Sequence, residues 1–294
     1  MKRIIMIALI ISVGNKSFAQ LSETMFSFNY GLAPIGHDDI DFYKTDFKVG
    51  IPTKLKTGVL IQNVGFTSYG FDYMKDFSFL SDAITQIYDI NYAASYILPL
   101  SATWELTTGA KAAIVSNLTN KVNSNDLQFT GSLLATKTLG NEGNAETISL
   151  GVSYATITGK PTIIPLFSYT KEVNDKFSFG IGFPETSATY KLSEISSVKT
   201  ELLMDGFYAN LNKSISMDTT VDAHKASFST TSLGVTYSYL MDNFWAINFK
   251  GGYALSNDYK LLSNDDITLY NFNTTSKPFF AAGITFNIKN QTKN

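Results

Sequence analysis

The chain has no cysteine, only two histidines and few charges, with Asp, Glu, Lys and Arg making up 16% of its 294 residues. Without cysteine there is no disulfide, no thiolate metal site and no thiol nucleophile. No apolar run beyond residue 19 approaches the roughly 20 residues that a membrane-spanning helix needs, which excludes a helical membrane protein. Basic residues are not in excess, so no nucleic-acid partner is expected. The seven prolines and 20 glycines form no repeat or linker.

The first residues have their own logic. Lys2 and Arg3 precede an apolar run from Ile4 to Val13, and Ser17-Phe18-Ala19 stands before Gln20. A short basic region, an apolar region of about ten residues and small residues spaced by one before a cleavage point form a secretory signal peptide. The expected domains are therefore a signal peptide at 1–19 cleaved near Ala19, a β-barrel domain at 20–288 and a polar tail at 289–294. Removing Lys2, Arg3 and Lys16 lowers the 23 basic residues to 20 against 25 acidic ones, a net charge of −5.

What fills the rest is period-two alternation. From Tyr88 to Leu98 one face carries Tyr88, Ile90, Tyr92, Ala94, Tyr96 and Leu98, and the other Asp89, Asn91, Ala93 and Ser95. Ile148, Leu150, Val152 and Tyr154 alternate with Thr147, Ser149, Gly151 and Ser153 in the same way. So do Trp245, Ile247, Phe249, Gly251, Tyr253 and Leu255 near the end. Successive strand side chains point to opposite faces, so each segment reads as a strand with one apolar and one polar side.

Sandwiches and membrane barrels both alternate, and three features separate them. Many segments run ten residues or more, beyond the usual soluble strand of about five or six and close to the 9–11 of a tilted membrane strand. Connections alternate between short (99–101, 140–145, 173–176, 193–197, 241–243) and long (70–85, 116–125, 212–225, 256–276), the rhythm of periplasmic turns and outer loops. Aromatic residues flank the short turns: Tyr96 with Trp104, Tyr169 with Phe177, Tyr239 with Trp245, as in an interfacial girdle.

The expected fold is thus all-β, an antiparallel outer-membrane barrel. Strands are expected near 24–33, 42–52, 57–69, 86–98, 102–115, 126–137, 147–157, 161–171, 176–183, 186–192, 198–210, 226–240, 244–255 and 277–288. That is a count of 14. The weak pair is 176–192, interrupted by Pro184; if it left the wall the count would be 12.

Catalytic options are few. His37 stands beside Asp38, Asp39 and Asp41, and His224 follows Asp222. An Asp–His pair in a loop can activate water, but neither spacing matches a catalytic motif, and solvated loop residues are the simpler reading. The acidic groups at 38–41 and 265–266 lack the Gly and closing Glu of a calcium loop. Neither an enzyme nor a metal or other cofactor is expected. Asp89, Glu105, Lys111, Lys199, Glu201, Asp205 and Lys250 fall on polar faces and are the candidate lumen-lining residues. Small residues dominate those faces, so a hydrated lumen is expected.

One stretch is familiar. Gly182-Phe-Pro-Glu-Thr-Ser-Ala-Thr-Tyr-Lys-Leu-Ser193, then Leu202-Leu-Met-Asp-Gly-Phe-Tyr-Ala-Asn-Leu211 and the closing Phe279-Phe-Ala-Ala-Gly-Ile-Thr-Phe286, resembles an uncharacterised family of outer-membrane β-barrels of Bacteroidetes. The resemblance implies an outer-membrane barrel and carries over no activity and no catalytic residue. Its aromatic-ended last strand implies barrel-assembly machinery as a partner during insertion, with outer-membrane lipid and lipopolysaccharide around the folded wall. The function expected is a passive channel or binding barrel for small solutes; a surface adhesion protein working through its long loops is the alternative.

Overall fold

The computed structural model describes residues 24–33, 40–74, 76–140, 145–217 and 221–287. The expected signal peptide, the polar tail, and His37 with Asp38 and Asp39 lie outside the described residues. The strands are β1 (Thr24–Ala33), β2 (Ile40–Lys54), β3 (Val59–Tyr73), β4 (Gln86–Pro99), β5 (Trp104–Ser116), β6 (Leu127–Leu139), β7 (Glu146–Ala155) and β8 (Thr162–Glu172). They continue as β9 (Phe177–Phe183), β10 (Glu185–Lys191), β11 (Ser196–Ile215), β12 (Ala223–Leu240), β13 (Trp245–Leu262), β14 (Thr268–Asn271) and β15 (Lys277–Asn287).

Fourteen of these close into an antiparallel barrel. Each strand pairs with its sequence neighbour from β1 to β13, β13 pairs with β15, and β15 returns to β1 from Thr24↔Asn287 to Leu32↔Phe280. β14 stands outside the wall and pairs only with the outer extension of β13. The uncertain pair β9–β10 is in the wall, so the count is 14. Closure gives every wall strand a partner on both sides over its turn-side part, the condition for a sheet that meets lipid. The outward residues are the apolar set of each strand, with Leu150 63%, Phe129 68% and Ile163 73% exposed. Trp245 packs on Phe26 and Phe286 at the short-turn end, with ring centroids 5.8 and 4.9 Å apart, a piece of the expected girdle.

The wall is uneven. β9 and β10 have 7 residues each, whereas β11 has 20. Above Pro184 the barrel therefore has a notch, because β8 pairs with β9 only below Phe167↔Phe183 and β11 with β10 only below Leu203↔Glu185. Two neighbours fill it. The outer part of β11 turns into the lumen as far as β5, where Asn210 pairs with Ser116. The β7–β8 tip follows and rests on the back of β11–β12, with Ser227 Oγ donating to the Gly159 carbonyl at 2.6 Å. Gly206 makes the approach possible, since a Cβ there would sit 2.7 Å from the Ile157 carbonyl oxygen.

The inturned strands build a core at the loop end, between opposite walls of the barrel. Phe207 on β11, Phe228 on β12 and Tyr259 on β13 meet Phe42 on β2 and Tyr69 and Phe71 on β3. Centroids are 4.6 Å apart for Tyr69–Phe207, 5.1 Å for Phe42–Phe228 and 4.5 Å for the stacked Phe71–Tyr259. The loops at 74–85 and 263–276 lay Phe77, Phe79, Tyr270 and Phe272 over this core. The expected hydrated lumen is therefore interrupted. Its outer half is filled with rings, because the inward face of these strands changes from small and polar to large and apolar near the loops.

Candidate functional site

Below the rings lies a cavity of about 500 Å³, bounded by β1, β2, β11, β12, β13 and β15. Phe42, Phe71, Phe228, Tyr259, Phe279 and Leu203 give it apolar surface; Asn29, Thr230, Ser232, Asn248 and Asn257 give it hydrogen-bonding groups. Six charged residues line it: Asp46 accepts from Thr67 Oγ1 at 3.1 Å, Lys277 Nζ donates to the Ile40 carbonyl at 2.7 Å, and the other four form two salt bridges. Lys44 on β2 reaches Asp205 on β11 at 2.5 Å, a bridge between opposite walls. Lys250 on β13 reaches Glu201 on β11, crossing β12 at Gly234. A Cβ at Gly234 would lie 2.7 Å from Lys250 Cε, so glycine opens the path.

These pairs are a balanced set. Lys199 holds Glu201 at 2.6 Å and Glu185 at 2.7 Å. Lys44 also lies 5.2 Å from the centre of the Tyr69 ring, and Lys250 lies 5.6 Å from that of Phe279. A charge in a low-dielectric lumen is stable only when paired and hydrogen-bonded. Glu201 and Asp205 have ammonium partners and Asp46 is held by the Thr67 hydroxyl. The lining carries three ammonium and three carboxylate groups, so the cavity offers a guest dipoles and rings with no net charge.

Of the seven candidate lumen residues, Glu201, Asp205 and Lys250 line this cavity. Lys199 joins their network from β11. Asp89 and Lys111 form a separate pair on β4 and β5 at 2.7 Å, with Asn91 donating to Asp89 at 2.7 Å. Glu105 lies on the same face of β5 at its turn end, opposite Thr136 of β6 and apart from these pairs. Lys44 and Glu185 are partners that the sequence reading did not name. Lys44 shares strand parity with Phe42 and Asp46, so its inward face was readable. That it meets β11 was not, because β2 and β11 are distant in both sequence and sheet order.

His224, expected in a loop, is the second residue of β12. Its neighbour Asp222 accepts a hydrogen bond from Ser214 Oγ at 2.9 Å. Among the described residues no group of three or more His, Asp or Glu stands ready for a metal ion.

A second polar feature holds the inturned β11 in place. Asp126, in a single 3-10 turn at Ser124–Asp126, accepts hydrogen bonds from Asn210 Nδ2 (2.7 Å), Asn212 Nδ2 (2.7 Å) and the Asn123 amide (2.7 Å). Ser116 Oγ donates to Asn212 Oδ1 at 2.8 Å. Burial alone would raise the Asp126 pKa, but the bonds from the Asn123 amide, Asn210, Ser116 and Asn212 outweigh it and hold the carboxyl below its ordinary value of 3.8.

A closed antiparallel wall, apolar outside and polar within, defines a transmembrane β-barrel of the outer-membrane kind. The chain belongs to the family described as a domain of unknown function (DUF6268), whose model matches residues 67–289. Similar solved structures include the NanC porin, at 10% identity and a TM-score of 0.43, covering 90% of this chain and 100% of that one. LpxR from Salmonella typhimurium is 9% identical with a TM-score of 0.40, covering 89% and 100%. The Pseudomonas putida toluene transporter TodX is 8% identical, also at 0.40, covering 89% and 88%. Likeness at this level carries no argument about function. No curated protein matches the chain.

Proposed function

We propose that the protein is a binding barrel of the bacterial outer membrane, exported behind a signal peptide cleaved near Ala19, that holds a small, uncharged and partly apolar solute in its lumen. One observation carries this reading. Rings from opposite walls meet across the loop end, and the space left below them is a cavity of about 500 Å³ lined by rings, amides, hydroxyls and paired charges. Ligand sites of about 300–1,000 Å³, mainly apolar with a few placed polar groups, are the usual form of a small-molecule pocket. A guest with its own net charge would upset a lining in which Lys44, Lys250 and Lys277 balance Asp46, Glu201 and Asp205. An uncharged guest with one or two hydrogen-bonding groups leaves both pairs whole.

The core also separates this reading from a standing pore. In planar bilayers the native barrel is expected to be electrically quiet, and the Phe71→Ala/Tyr259→Ala variant to show discrete conductance steps. Steady conductance of the native protein, unchanged in the double variant, would sink the proposal. Of the loops expected to carry surface recognition, 70–85, 212–225 and 256–276, the first and last instead lay Phe77, Phe79, Tyr270 and Phe272 on the core, which favours the binding barrel over the adhesion reading.

A further inference from the structure

The inward lean of the β7–β8 tip has a second effect on the wall. β6 and β7 pair only from Gly131↔Tyr154 downward, so β6 has no partner on that side over residues 127–130. The gap is a cleft of about 490 Å³, distinct from the lumen cavity and sharing none of its lining residues. Its rim includes Leu127, Phe129 and Tyr154, which are 48, 68 and 45% exposed and belong to the outward apolar face. Its inner end is polar, formed by Tyr208, Asn210 and Lys225 of the inturned β11–β12.

The charges there are unequal. Lys225 Nζ lies 2.9 Å from Asp266 Oδ1 and donates to the Asn264 carbonyl at 2.7 Å. Tyr208 OH donates to the same Asp266 carboxylate, and Lys160 Nζ lies 3.4 Å from the Asp266 carbonyl oxygen. Lys225 thus pairs with the carboxylate, whereas Lys160 is held by a main-chain carbonyl. The Lys160 ammonium stands at the loop end, just beyond Leu127 and Ile163, the outermost apolar residues facing out from β6 and β8.

We propose that this lateral cleft is a lipid-binding site, taking an outer-leaflet lipid whose phosphorylated headgroup carries a net negative charge. A cleft whose rim continues the lipid-facing surface is filled from the bilayer. An acyl chain lies along Phe129 and Tyr154, and the phosphate sits near Lys160 and Lys225. The height fits, since the apolar rim is at the hydrocarbon border and the lysines are at headgroup level. The sign fits as well, because the Lys160 ammonium, held by a main-chain carbonyl, is in no salt bridge among the described residues and can meet the anion.

The proposal rests on the barrel being in a membrane, and the absence of native cysteine makes both testable together. Ile163→Cys places a bimane label beside Tyr154 without entering the cleft, and Leu150→Cys places one on plain wall. Each labelled protein is reconstituted in phosphatidylcholine vesicles with increasing fractions of dibromo-phosphatidylglycerol. Half-quenching at position 163 is expected at about a five-fold lower fraction than at 150, the factor that roughly one lysine–headgroup contact supplies. Lys160→Gln, on an exposed tip, removes most of that difference without touching the core; Lys225→Gln removes it too. Dibromo-phosphatidylcholine in place of the anionic lipid gives no difference between positions. Equal half-quenching with the anionic lipid overturns the site, and no quenching at 150 overturns the membrane reading beneath it.

Discussion

The two halves of the barrel obey opposite rules on the inside. Toward the short turns the inward face is small and polar, with Ser132, Ser149, Gly180, Gly234 and Gly283 among its members, and only the outward face is apolar. Toward the loops the inward face carries Phe42, Phe71, Phe207, Phe228 and Tyr259, and the walls touch. In β13 the change is made by a register shift: Thr231 pairs with Ser256 but Ser232 with Ala254, so Leu255 is an extra residue. A bulge of one residue moves every later side chain to the other face. Trp245 to Tyr253 face lipid at odd numbers, and Tyr259 and Leu261 face the core, also at odd numbers. Alternation alone therefore says that two faces differ; local register says which one is inside.

Three experiments would break or sharpen this contrast. The largest effect is expected from the core. Phe71→Ala removes a ring that is 2% exposed and should lower stability by about 3–5 kcal/mol in urea refolding. Phe167→Ala, on lipid-facing wall at 47% exposure, should cost far less, because lipid fills the space. Equal costs would mean that the loop half is not a packed core.

A charge placed on adjacent residues of β7 tests the part of the wall whose inner face is small and polar. Val152→Lys puts an ammonium in lipid and should cost about 2–4 kcal/mol. Ser153→Lys puts it in the lumen and should cost much less. A reversed order would show that the face assignment in β7 is wrong.

The smallest effect concerns the polar contact that ties β11 to the β5–β6 loop. Asp126→Asn loses charge-assisted hydrogen bonds and should destabilise by about 1.5–3 kcal/mol at neutral pH. The folded carboxyl lies below its ordinary value of 3.8, so its contribution is present above that pH and fades as pH falls through the lower, folded-state value. The urea midpoint of the native barrel should accordingly fall in strong acid, and that of Asp126→Asn should fall less. A parallel decline in both would remove Asp126 as a source of the stability.

Much of the wall was readable in advance. β1, β4, β8 and β9 lie within about one residue of their expected bounds, since long amphipathic strands ended by tight turns carry their own signal. Even the doubtful strands around Pro184 are present. The outer ends were less readable. β11 was expected to stop at 210 and β13 at 255, but they run to 215 and 262, where bulges and changes of face hide the alternation. In β3 the change can be seen afterwards, as the apolar set passes from Val64 and Phe66 to Tyr69, Phe71 and Tyr73. Of the cavity, Glu201, Asp205 and Lys250 were named as lumen residues from their face alone; their partners were not.

The sequence by itself determined an exported-looking chain of even-numbered amphipathic strands that closes into a membrane barrel, because period two and strand length are local properties. Only the tertiary structure decided what fills the barrel. That outcome depends on the mismatch between two 7-residue strands and a 20-residue neighbour, which lets β11–β12 turn inward and the β7–β8 tip follow. The ring core, the cavity beneath it and the lateral cleft come from contacts between strands far apart in the chain, and no local pattern encodes a distance across the lumen.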